Sequence, residues 1–367
     1  MEKLVIQPAF WKGRRVLVTG HTGFKGGWLS LWLQTMGAEV IGYALPPATQ
    51  PNLFEIARVG QKMESILADI RDANWLHAAF STHQPEVVFH LAAQAEMLPA
   101  YSRPVETYST NVMGTVNVLE AVRQNQGVRA VVVVTSDKCY ENRESRHAYR
   151  EGDSLGGADP YSSSKGCAEL VTAAYRSSFF KPVDHAKHGT AIATARAGNA
   201  IGGGDWSANR LIPDAIRAFV DKRPLQVRHP AAIRPWQHVL EPLAGYLMLA
   251  EQLVQQGASF ADAWNFGPSD ENAPSVEQLL DALGSLWGDG TTWEHDRNAH
   301  PHEAQQLRLD ASKAISMLHW QPRWSLGSAL RMTVAWHHAH LRGEDMAAVS
   351  SLQINRYCRA TSNVVMA

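Results

Sequence analysis

The chain has 367 residues, 45% of them apolar, enough to bury a large core and too many for a disordered chain. Its 34 Lys and Arg balance 35 Asp and Glu with no basic block, which excludes a general nucleic-acid binder. Three cysteines (Cys139, Cys167, Cys358) are too few for a disulfide framework, and no apolar run has the length of a membrane span or leader, so the expectation is a cytoplasmic protein of two domains with no membrane partner.

In chain order, short apolar runs at 15–19, 39–43, 65–67, 86–91 and 128–135 read as buried strands. Helix-like stretches lie between and after them, at 28–36, 74–82 and 104–123. A helix over 159–179 and a strand over 189–196 follow. This alternation predicts an α/β fold: a doubly wound, Rossmann-type parallel sheet with helices on both faces. After residue 200 the regularity fails, as in a smaller, irregular C-terminal α/β substrate domain, and helices return over 310–318 and 326–342. The expected division is a dinucleotide-binding domain over 1–196 with a return near 234–268, and a substrate domain mainly over 197–233 and 269–345. The tail from 346 to 367 is too mixed to assign.

Gly20, Gly23 and Gly26 stand at G-x-x-G-x-x-G spacing between a strand and a helix. The first suits a tight turn, the second a close approach of backbone to a pyrophosphate, and the third helix–strand packing, so the loop predicts a dinucleotide site. His21 and Lys25 either approach phosphate or stay solvated. The second strand ends Gly42-Tyr43-Ala44-Leu45-Pro46, with neither the carboxylate typical of NAD sites nor an arginine for a 2′-phosphate, so this test does not separate NAD from NADP. Asp69, after the third strand, either reaches the adenine or caps the next helix.

Tyr161 and Lys165 form Y-x-x-x-K, and i,i+4 spacing puts both on one helix face. A nearby ammonium favours phenolate, so Lys165 is expected to lower the pKa of Tyr161. Some 25 residues earlier, Ser136-Asp137-Lys138 ends the fifth strand, where open α/β sheets build their sites.

Together the glycine loop, His90-Leu91-Ala92-Ala93-Gln94, Ser136 and the Tyr161/Lys165 pair resemble the extended short-chain dehydrogenase/reductases. Longer segments resemble the CDP-glucose 4,6-dehydratase family more narrowly: 19–26, 135–140, Ala197-Gly198-Asn199-Ala200-Ile201-Gly202-Gly203-Gly204-Asp205-Trp206, 233–239 and 300–304. The resemblance spans roughly 10–340.

It implies oxidation at C4 of a nucleotide-activated hexose by bound NAD, elimination across C5–C6, and hydride return to C6. Tyr161 would take the C4 hydroxyl proton, Ser136 would bond the C4 oxygen, and Lys165 would hold the nicotinamide ribose. Lys138 would be the C5 base and has to be neutral; Asp137 would be the C6 acid and has to be protonated. Thr22, Phe24, Lys25, Tyr43, Asp69, Ile70, Ala92, Ala93 and Gln94 would join the three loop glycines around NAD. Asn199, Arg210 and Arg234 would hold the diphosphate, Leu211, Ile212, Gln226 and Arg228 the base and ribose, and His302 with Glu303 a ribose. One departure stands out: where the family has a Pro-Leu-Val-Arg-x-Ser-Tyr-like stretch beside the hexose, this chain has Ala95-Glu96-Met97-Leu98-Pro99-Ala100-Tyr101.

Competing readings are a 4-epimerase or decarboxylase of the same superfamily, which would not need the Asp137–Lys138 pair, and a non-catalytic NAD-binding sensor. No metal-ligand spacing occurs among the 16 histidines, and His337, His338 and His340 read as a solvated helix face. Helices near 104–123 and 159–180 suggest a homodimer, or a dimer of dimers, through a four-helix interface. The 12 tryptophans read mostly as core anchors, with Trp206 a candidate substrate contact.

Overall fold

The computed structural model describes residues 6–145, 147–268, 273–288, 291–298 and 306–360. Seven strands form one sheet: β1 (Arg15–Thr19), β2 (Glu39–Ala44), β3 (Glu64–Leu67), β4 (Val87–His90), β5 (Ala130–Val134), β6 (Ala191–Ala197) and β7 (Ala263–Phe266). Their order is β7-β6-β5-β4-β1-β2-β3, with every pairing parallel. Strands β4 to β6 are buried throughout, which is why they read as unbroken apolar runs. The strand order reverses at β1, between β2 and β4. The crevice outside the carboxyl ends there is where such sheets hold ligands.

Helix α1 (Phe24–Thr35) follows the glycine loop, α2 (Ala73–His83) follows β3, and α3 (Pro160–Ser178) carries the Tyr–Lys pair. Asp159 starts α3 by accepting from the Ser162 N–H at 2.9 Å, with Pro160 in the first turn. The helix expected over 104–123 is interrupted by a π-turn at Ser109–Met113. That turn brings the Asn111 amide inward, where it donates to Gln94 O (2.9 Å) and Ser164 Oγ (2.8 Å) and accepts from Gln94 N (2.8 Å).

Past residue 200 the chain is more regular than its sequence suggests. Helix α4 (Leu240–Gln256) lies against the sheet, with every residue from Leu240 to Leu253 buried. Burial on all sides erases the amphipathic period that marks a helix in sequence. Further helices run over Leu211–Val220 and Val276–Trp287, the latter with a Ser275/Gln278 capping box. Helix α5 (Leu326–Leu341) precedes α6 (Met346–Arg359), which forms most of the unassigned tail. Tyr357 on α6 is fully buried, edge-on to Trp32, and donates to Glu241 at 2.6 Å. Trp11, near the opposite end of the chain, donates to Glu251 at 2.7 Å. Two buried carboxylates of α4 thus hold Trp11 and Tyr357, and burial raises the pKa of each to about 7.

The histidine reading needs correction. His337 is buried against Trp336 and Trp206, and burial pushes its pKa down to about 3. Trp206 packs on Trp336, His337 and His340, a core anchor and not a cavity contact.

Candidate active site

A cavity of about 650 Å³ opens at the carboxyl ends of the strands. It gathers residues far apart in sequence: the glycine loop, 91–99, Ser136 to Lys138, Tyr161, Lys165 and parts of 197–236. The site residues expected from sequence and described in the structure line it, with the exceptions of Tyr43 and Trp206. His302 and Glu303 lie outside the described residues.

At the glycine-loop end the main chain dictates the shape. Gly20 has a φ of +77°, and a Cβ there would meet Ala92 N at 2.8 Å. A Cβ on Gly26 would stand 2.1 Å from Gly20 O, so only glycine lets α1 start this close to β1. Gly23 caps α1 with no side-chain bond, which leaves the first N–H groups of the helix to the cavity. An anionic pyrophosphate fits this cradle.

Two assignments change here, and the alternatives left for Asp69 are decided. His21 is fully buried, bonded to Ser65 Oγ at 2.7 Å and packed where Gly42 lacks a side chain; burial lowers its pKa to about 4, so it neither meets phosphate nor is solvated. The Tyr43 side chain points into the core, because strand side chains alternate between faces, and its hydroxyl donates to Asp69 O at 3.1 Å. It therefore holds Asp69 without facing the cavity. Asp69 itself pairs with Arg71 and lines the cavity, whereas Asp72 caps α2.

The catalytic candidates converge at the end of β5. Ser136 Oγ donates to Asp137 Oδ1 at 2.9 Å, accepts from Lys138 N at 3.2 Å, and stands close enough to the Tyr161 hydroxyl to lower its pKa. Asp137 is buried, and its Oδ2 has no protein partner. Burial raises its pKa, opposed by Lys138, the Ser136 bond, Lys25 and Arg234. A buried carboxyl with a free oxygen in a cavity is held toward its protonated, proton-donating form. The expected depression of Tyr161 is not found: burial pushes its pKa up to about 12, against the Ser136 hydroxyl and Arg210. The reason is where Lys165 points. Its Nζ donates to Val134 O at 3.4 Å, toward the sheet, and burial followed by Lys25 lowers its pKa to about 8.

At the other end, Arg210 reaches Asp205 (3.4 Å) and Ala95 O (3.4 Å), loose contacts that leave donors for a diphosphate. Arg234 is buried in the wall, and Asn199 and Arg228 complete a basic, polar rim. Leu211, Ile212 and Val276 supply an apolar face, while Gln226 donates to Glu294 at 3.0 Å. Glu96, Met97, Leu98 and Pro99 also line the cavity, whereas Ala100 is buried behind them.

A family model described as the NAD dependent epimerase/dehydratase family matches residues 16–265. The chain belongs to that family. The cofactor is therefore NAD, the question that the end of the second strand left open. The chain is also 54% identical over 358 residues to the CDP-glucose 4,6-dehydratase of Salmonella typhimurium, covering 98% of this chain and 100% of the relative. Among solved structures, a Thermotoga maritima UDP-glucose 4-epimerase with UDP-glucose superposes with a TM-score of 0.75 at 20% identity, over 89% of this chain and 99% of that one. A Bacillus anthracis dTDP-glucose 4,6-dehydratase in complex with NAD gives 0.73 at 20% identity, over 91% and 100%. At that identity these two structures establish the fold.

Some cavity residues carried no site assignment in the sequence. Trp236 lines the wall with an unpartnered, buried indole N–H, and Gln94, already expected at the cofactor, likewise presents an unpartnered Oε1. Buried polar atoms without protein partners mark where ligand or water bonds. Trp236 lies inside the quoted 233–239 motif, so its signal was local. Asp205, inside the quoted 197–206 motif, lines the cavity too, whereas Arg103 is brought there only by the fold.

Proposed function

We propose that this protein dehydrates a nucleotide-activated hexose, CDP-glucose foremost, to the 4-keto-6-deoxy sugar. The observation that carries the reading is Asp137: a buried carboxyl with raised pKa and a free oxygen, bonded to Ser136 beside Tyr161. A 4-epimerase has no use for such an acid. The 54% identity to the Salmonella enzyme supports the same substrate.

In this reading the glycine loop, Asp69, Ile70, Ala92, Ala93, Gln94 and Lys165 hold NAD. When bound, NAD supplies the hydride acceptor for C4 and the hydride donor for C6. Tyr161 takes the C4 hydroxyl proton while Ser136 bonds that oxygen. A ketone at C4 acidifies the C5 proton, which Lys138 removes, and Asp137 protonates the departing C6 hydroxyl. Asn199, Arg210 and Arg234 hold the diphosphate. The sheet with α4 forms the cofactor domain, and the segments around 197–233 and 269–345 form the substrate domain. A homodimer through the 104–124 and 160–178 helices accounts for the exposed Val105, Met113 and Leu170 on that face.

The test is incubation with CDP-, UDP-, GDP- and dTDP-glucose, with and without added NAD. A 4-keto product with a C6 methyl resonance, strongest for the CDP sugar, is expected. Inversion at C4 with C6 still hydroxylated would overturn the reading.

A further inference from the structure

Directly behind the catalytic cluster lies a buried ion pair that the proposed chemistry does not use. Glu169 stands one turn after Lys165 on α3, and with Arg196 of β6 it is almost wholly shielded from solvent (3% and 4% side-chain exposure). Glu169 accepts from Thr135 Oγ1 at 2.5 Å, Thr194 Oγ1 at 2.7 Å and Arg196 Nη2 at 2.7 Å. Arg196 Nη1 donates to Tyr140 Oη at 2.8 Å, and that hydroxyl donates to Asn265 Oδ1 at 2.7 Å. Thr135 immediately precedes Ser136, and Tyr140 follows Lys138 by two residues. The network thus grips both ends of the turn that presents Ser136, Asp137 and Lys138, and it does so from the helix that presents Tyr161 and Lys165.

We infer that the Glu169–Arg196 pair is a positioning device, which sets the Ser136–Lys138 turn and the Tyr161/Lys165 helix in one geometry. This rests on the proposed roles of those five residues. Burying two charges is weak as a source of stability, because desolvation offsets the attraction. Fixing reacting groups is worth far more, since misplacement by about 1 Å costs on the order of a hundredfold in rate.

Glu169 also raises the proton affinity of Lys165. The groups facing that ammonium are Lys25 from α1, Cys139 from the strand-end turn, His90 from β4 and Glu169 from its own helix. Lys25 lowers its pKa, and Glu169 opposes this. Removing the Glu169 charge lets the ammonium deprotonate at lower pH. A rate that needs charged Lys165 then falls away earlier as pH rises.

The experiment compares NAD-loaded parent, Glu169→Gln and Thr135→Val, each checked for fold by circular dichroism. For Glu169→Gln, kcat should fall about 10- to 100-fold with KM within about threefold of parent. Its alkaline limb should move down by about half a pH unit, and Glu169→Asp should recover part of both effects. Calorimetry on NAD-free protein should show weaker NAD binding for Glu169→Gln, a readout independent of turnover. Thr135→Val keeps the ion pair and should lower kcat without moving the limb. Folded variants with parental kcat, limb and NAD affinity would overturn the inference. If Glu169→Gln does not fold, Thr135→Val decides, and a parental kcat there overturns it. A parent that forms no 4-keto-6-deoxy product defeats the reading of the reaction, while NAD affinity still reports on Glu169.

Discussion

The two ends of the cavity are built by different means. At the glycine-loop end, shape comes from the main chain: Gly20 in a left-handed conformation, Gly26 pressed on Gly20 O, and a helix start without a side-chain cap. At the β5 end it comes from ionisable side chains, Asp137 and Lys165 buried and Tyr161 half-buried, with Glu169 and Arg196 behind them. The first arrangement is fixed by main-chain sterics, and its charged side chain, Lys25, acts on the other end. The second is fixed by hydrogen bonds and adjusts proton affinities. Changes at the first end should therefore damage binding and folding together, and changes at the second should damage chemistry more than folding.

The largest effect is expected for Tyr161→Phe, which removes the base and should cut turnover by about 10³- to 10⁴-fold with NAD affinity unchanged, read by calorimetry. Asp137→Asn sharpens the contrast because activity and stability should move in opposite directions. Turnover should fall about 10²- to 10³-fold, since an amide cannot supply the proton. Asp137's pKa is raised in the fold, so its contribution to stability is present below the ordinary carboxyl pKa and lost as pH rises through the raised value. The Asn variant should accordingly melt higher than parent above neutral pH and show no such gain in acid.

Gly26→Ala tests the other end. Its Cβ cannot coexist with Gly20 O, so NAD affinity and melting temperature should fall together, affinity by at least about tenfold. Full NAD affinity in this variant would break the contrast. The smallest effect concerns Glu251, remote from both ends. Its folded pKa of about 7 exceeds the ordinary 4.5, so it stabilises most below 4.5 and that stabilisation is lost as pH climbs to 7. Glu251→Gln keeps an oxygen for Gln7 N and Trp11 Nε1, so its melting temperature should vary less over that range than the parent's.

Legibility followed the same divide. Six of the sheet's seven strands were readable as short apolar runs, with β7 (Ala263–Phe266) missed, and the glycine loop, Ser136–Lys138 and the Tyr–Lys pair were readable because each lies within one local segment. Helix α4 was hidden by burial on every side. Helix α6 was hidden because its buried face mixes Ser350 and Gln353 with Met346, Ile354 and Tyr357, which blurs any apolar stripe. Tyr43 shows the cost of a one-residue difference on a strand, where the neighbour of a lining residue faces the core. The Lys165–Tyr161 coupling failed because shared helix face does not fix where a long side chain ends. Glu169 and Arg196 were illegible as a pair, since only the fold joins them.

The most direct measurement follows deuterium from C4 of CDP-glucose in ordinary water, with catalytic NAD. The account predicts a 4-keto product whose C6 methyl carries that deuterium and whose C5 proton comes from solvent. Deuterium retained at C4 with inverted configuration and an intact C6 hydroxyl would contradict it.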